Sequence, residues 1–202
     1  MPDFTFDKVS RTYLKDGRPV KAETVRRWVA DVLERTRGQA EAVTQKYLDK
    51  TITRAEWYLD MKGLISKSHS AIWMLAQGGR DATDAKSWGA VGVRIKSEVG
   101  YLRGFERALA NDRAGTDNQI LNRSGLYADA LHSTFMAGIV NREKSAGVET
   151  VLRVLDPSAS HCEDCPDLAG EYPIDEVPEI GDSQCGSACR CSIESVELEE
   201  AA

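Results

Sequence analysis

Five cysteines stand within one stretch near the C-terminal end, HCEDCPDLAGEYPIDEVPEIGDSQCGSACRCSIE, from His161 to Glu194. Cys162 and Cys165 form a C-x-x-C pair. Cys185, Cys189 and Cys191 form C-x-x-x-C-x-C, beginning twenty residues after Cys165. Close groups of thiols separated by a loop of this size match the way a tetrahedral zinc site is assembled, each group supplying thiolates from one tight turn. The expected ligands are Cys162, Cys165, Cys185 and Cys189, with Cys191 or His161 as the substitute for one of them. Four protein ligands leave no position for a metal-bound water, so the expected zinc is structural rather than catalytic. The loop between the groups has few large apolar residues and needs a staple to fold. Disulfides are the competing reading. A redox C-x-x-C fits less well, because that motif opens a helix in a βαβ context and this one follows a strand and Pro157 in an acidic loop.

The elements flanking the stretch are short strands. TVLRVLD (150–156) is rich in apolar and β-branched residues and ends at Pro157. CSIESVEL (191–198) is a second candidate, and pairing of the two would close the neck of the cysteine segment. Upstream, the apolar period is helical. Val25, Trp28, Val29, Val32 and Leu33 recur at i, i+3, i+4, i+7 and i+8 in a helix reaching about Lys50. A second helix starts behind Thr53, with Glu56 at capping-box spacing, and stops at Gly78-Gly79. A third runs from about Thr83 to Ala110; its glycines 89, 92, 100 and 104 suggest close approach of a neighbouring helix, or a bend. A fourth spans about Asp117–Lys144. Before them, Phe4 and Phe6 alternate and KDGR marks a hairpin turn. The expected fold is mainly α: an antiparallel bundle of about four helices, with a short N-terminal hairpin arm and a small C-terminal β/loop zinc-binding appendage. The expected divisions are 1–21 (arm), 22–147 (helical body) and 148–202 (cysteine-rich module with an acidic tail). A hairpin this poor in apolar residues must lie on the body or on another chain.

The charge is uneven. Residues 1–150 carry 24 basic and 19 acidic side chains, whereas residues 151–202 carry 2 and 13. The acidic end repels a phosphate backbone, so any contact with nucleic acid falls to the helical part. No apolar run approaches the roughly 18 residues of a membrane span, and no secretory signal is evident. A reducing compartment is expected, which favours metal over disulfides. His69 and His132 are isolated on helices without a catalytic partner in sequence, and QGGRD and GAVGVR lack the order of a phosphate or dinucleotide loop. Asp112, Asp117 and Asp129 make no compelling pair. No enzymatic activity is expected.

The stretch VLDPSASHCEDCPDLAGEYPID…QCGSACRC resembles the C-terminal signature of the phage head-morphogenesis, or Mu F-like, minor head proteins. Asp156, Cys162, Cys165, Gly170, Tyr172, Pro173, Cys189, Arg190 and Cys191 fall on positions of that signature. The helical phrases HSAIWMLAQGG, YLRGFERAL and QILNRSGLYADALHSTF are also similar, so the resemblance spans roughly residues 50–195. The His-Pro that precedes CRC in the family is absent, and Cys185 stands four residues before Cys189 instead. The resemblance implies a low-copy structural protein of a tailed-phage head, assembled in the host cytoplasm. It implies contact with the portal protein or major capsid protein and proximity to packaged DNA. The alternative is a zinc-stapled module that binds protein or nucleic acid outside any virion.

Overall fold

A computed structural model describes residues 4–195. Four long helices dominate it: α1 (Ala22–Leu48), α2 (Arg54–Gln77), α3 (Ala85–Ala110) and α4 (Asp117–Ser145). Local chemistry sets their ends. Thr53 accepts from the Glu56 N–H while the Glu56 carboxylate accepts from the Thr53 N–H, and Thr116 and Gln119 repeat this box before α4. Asp84 caps α3 through the Ser87 N–H. Gly78 ends α2 in the left-handed region at φ +89°.

The helices run alternately up and down. Trp57 Nε1 donates to Thr44 Oγ1 (3.0 Å) and Thr36 to Ser68 (3.2 Å), so α1 and α2 are antiparallel. Trp73 Nε1 donates to Ser87 Oγ at one end of the α2–α3 pair, and Trp57 packs edge-on against Phe105 at the other. The diagonal pair α2 and α4 forms the centre. There Gly138 lies under Ala76 so closely that an added Cβ would come within 2.5 Å of the Ala76 Cβ. The α3 glycines do something different from what their spacing suggests. Nothing lies within 4 Å of a Cβ built at Gly89, Gly92, Gly100 or Gly104, because the stripe faces outward instead of against a neighbouring helix.

The N-terminal segment is a three-stranded antiparallel meander of β1 (Phe4–Asp7), β2 (Thr12–Lys15) and β3 (Arg18–Pro19). Asp16 and Gly17 both have positive φ (+52° and +72°), as a tight turn between twisted strands requires. The arm lies on the body. Phe4 is buried and stacks on Trp28, and Phe6 packs against Gly78. The buried Arg142 guanidinium sits 3.5 Å from the Phe6 ring and donates to Tyr13 Oη (2.7 Å) and the Ala76 carbonyl (2.8 Å). Arg11 pairs with the buried Glu143.

The C-terminal segment forms a second antiparallel sheet of β4 (Thr150–Val154), β5 (Gly170–Pro173) and β6 (Ser192–Ser195), in the order β5-β4-β6. β4 and β6 pair as their composition suggests, Arg153 opposite Ile193. β5 is added on the other edge, Val151 opposite Tyr172. Residues 196–198 of the expected second strand lie outside the described residues. The divisions at 21/22 and 147/148 fall between elements, yet one core runs through all three parts. Phe4, Ile72, Leu131, Phe135, Val151, Cys165, Cys189, Cys191 and Ile193 belong to a single buried cluster. A second cluster around Trp57, Met61, Leu102 and Phe105 fills the far end of the bundle.

Candidate metal centre

Two tight turns carry the thiols. Cys162 and Cys165 flank the start of α5 (Asp164–Asp167), where the Cys165 N–H donates to the Cys162 carbonyl (3.2 Å). Cys185 precedes a 3-10 turn (Gly186–Ala188), and the Ala188 N–H donates back to its carbonyl (3.0 Å). Asp164 ties the turns together by accepting from the Gln184 N–H (2.9 Å). Cys191 then leads into β6.

The turns converge on Cys165, which is fully buried. Its Sγ lies 3.5 Å from Cys162 Sγ, 3.7 Å from Cys185 Sγ and 4.0 Å from Cys189 Sγ. Tetrahedral coordination with Zn–S bonds of about 2.3 Å puts sulfurs about 3.8 Å apart. The spacings around Cys165 match those of a metal–thiolate shell, and the five cysteines are free thiols. Cys162, Cys165 and Cys185 place their donor atoms within 4.8 Å of one another; so do His161, Cys165 and Cys191. Cys189 stands beside Cys165 but outside both groups of three. His161 Nε2 donates to the Asp156 carbonyl (2.7 Å), so Nδ1 is the ring nitrogen not taken up by that bond. These Cys and His groups are able to hold a metal ion.

Their electrostatics suit one. A hydrogen bond with Cys185 draws the Cys162 thiol down to about 6, and the same contact pushes Cys185 up to about 11. Burial raises Cys165 to about 11. One thiolate and one thiol thus share a short contact, and a cation that replaces the protons removes the conflict. The Cys162 N–H also donates to Cys185 Sγ (3.4 Å), a contact that favours the thiolate.

The bundle holds this centre from one stripe of α4. Asp129, His132 and Met136 recur at i, i+3 and i+7. Asp129 accepts from Arg190 (2.8 Å) and from Arg37 of α1 (2.7 Å). His132 Nε2 donates to the Cys191 carbonyl (2.9 Å), and Met136 Sδ accepts from the Ile193 N–H (3.4 Å). The partners of Asp129 and His132 lie 59 to 92 residues away in the chain, so neither looked functional in the sequence. Burial holds His132 below its ordinary pKa and so favours its neutral form. His69 lies elsewhere, in the core between α2 and α4, bonded to Thr134 (2.8 Å).

Comparison of the chain with family models, with curated proteins and with solved structures returns no match. No helix among the described residues is long and apolar enough to cross a membrane.

Proposed function

We propose that this chain is a structural minor head protein of a tailed phage, in which a zinc ion bound by thiolates fixes the C-terminal segment against the helical body. Cys162, Cys165 and Cys185 supply three ligands, and Cys189 the fourth, with Cys191 or His161 as its substitute. Soft thiolates at these separations suit zinc. The ion adds folding free energy to the cysteine loop, which has few large apolar residues of its own. The observation that carries the reading is the convergence of the signature residues. Gly170, Tyr172 and Pro173 form β5, the cysteines gather around Cys165, and Arg190 reaches Asp129 on the bundle. The stretch that resembles the minor head proteins is thus one physical unit joined to the body.

The shared core makes that unit a rigid part of the body rather than a separate knob, so portal or major capsid protein meets a composite surface of helices and module. Packaged DNA, where it approaches, meets the basic helical part. Particles assembled in cells that make portal, major capsid protein and this chain provide the test. Mass spectrometry of purified particles should find the chain at low copy. Well-formed particles that lack it, with no portal contact in cross-linking, overturn the reading.

A further inference from the structure

Arg153 is the fourth of the five residues of β4; like Val151 it is on the inner face of the sheet, and it is 1 % exposed. Nη1 donates to the Pro178 (2.9 Å) and Glu179 (3.2 Å) carbonyls. Nε and Nη2 are buried with no hydrogen-bond partner, and no carboxylate pairs with the guanidinium among the described residues. A guanidinium does not shed its proton in a protein. Left unanswered, such a buried charge is strongly destabilising.

The sheet register shows what faces it. Arg153 stands opposite Ile193, and Cys191 lies two residues before Ile193. Alternation puts Cys191 on the same face, diagonal to Arg153. Cys191 is fully buried and shares a donor group with Cys165 and His161. The unpaired cation therefore adjoins the thiol cluster.

We infer that Arg153 is the counter-cation of the metal centre, and that the centre is anionic: at least three thiolates surround a divalent ion. The inference rests on the zinc reading and adds the charge state of the shell to it. Zinc with four thiolates carries −2, and burying that charge beside a fixed guanidinium offsets much of its desolvation cost. A neutral shell of two cysteines and two neutral ligands has no need of Arg153. Two of the positions considered for the fourth ligand, Cys189 and Cys191, preserve an anionic shell. His161 does so with three thiolates.

Competition for zinc between the full chain and a chromophoric chelator tests this in wild type, Arg153→Met and Arg153→Lys. Methionine keeps the volume and removes the charge; lysine keeps the charge and loses the fork. Arg153→Met should weaken zinc binding on the order of 10- to 100-fold, the range for groups next to a metal shell, and Arg153→Lys should stay within a few-fold of wild type. Equal affinity in all three overturns the inference. Equal loss in both variants also overturns it, because Arg153 then acts only through its carbonyl bonds. Cobalt substitution of the wild-type chain gives a second reading that needs no variant to fold. The sulfur-to-cobalt charge-transfer intensity should correspond to three or four thiolates; two or fewer overturns the anionic shell. A wild-type chain that takes up neither metal fails the zinc reading itself, and that result is distinct from uptake unaffected by Arg153.

Discussion

The Asp129 carboxylate on α4 accepts from Arg190 of the cysteine segment at 2.8 Å and from Arg37 of α1 at 2.7 Å. Its side chain is 8 % exposed, whereas the two arginines are 35 % and 40 % exposed. The buried member of the triad is thus the acid, and it joins α1, α4 and the module through one residue.

Asp129→Ala should therefore cost more than loss of either arginine. It removes an acceptor shared by two cations, and the estimate is about 2 kcal/mol, in the range for hydrogen bonds to charged groups. Arg190→Ala should cost less, because Arg37 still answers the carboxylate. A double-mutant cycle in urea, with metal saturating, measures the coupling. Purely additive losses would show that the triad does not hold the module.

Glycines give a paired test of packing. Gly138→Ala sets a methyl 2.5 Å from the Ala76 Cβ and forces α2 and α4 apart, at about 1–3 kcal/mol. Gly100→Ala meets nothing within 4 Å and should stabilise α3 by up to about 1 kcal/mol through helix propensity. Thermal melts of the two variants should move in opposite directions. A stabilised Gly138→Ala would mean that the central helix pair is looser than its geometry states.

Those glycines also show what was legible in the chain. The ends of α2 were, because capping is local: Thr53 with Glu56 and the Gly78 stop act within a few residues, whereas α3 starts at Ala85 behind its cap Asp84, two residues later than expected. The β4–β6 pair was legible from β-branched runs. β5 was not, since GEYP has one large apolar residue and becomes a strand only by pairing with β4. Spacing identified the glycine stripe of α3 but did not fix its direction, which tertiary packing decides. The five cysteines announced, through their intervals, a group able to hold a metal ion. Its centre at Cys165, its ties to Asp129 and His132, and the unpaired Arg153 depend on contacts between distant segments.

The cysteines should not be equivalent. Cys165 touches Cys162, Cys185 and Cys189 and belongs to both donor groups, so Cys165→Ser should abolish stoichiometric zinc. Cys162→Ser and Cys185→Ser should weaken binding strongly while leaving some uptake at saturating metal. Zinc content by plasma emission after gel filtration provides the order. Cys165→Ser retaining one zinc per chain would place the metal elsewhere. Since thiolates must form for binding, uptake should also fall as pH drops.

His69 sets a separate acid limb, independent of the metal. Its ring is buried between α2 and α4, Nδ1 bonds Thr134 Oγ1 (2.8 Å), and Thr134 Oγ1 donates onward to the Ala130 carbonyl (3.2 Å). Nδ1 is therefore the protonated nitrogen, and Nε2 is buried without a partner. Burial, with a smaller contribution from Arg94, lowers the pKa from 6.5 to about 4. Between those values the unfolded chain binds a proton that the folded chain refuses, so stability rises with pH across that window. The contribution is fully present above about pH 6.5 and lost as pH falls toward 4, on the order of 3 kcal/mol in total. Urea unfolding of wild type and His69→Asn, both in excess chelator, isolates it. The wild-type stability should fall more steeply from pH 6.5 to 4 than that of the variant. Parallel curves would mean that His69 takes up its proton inside the folded bundle.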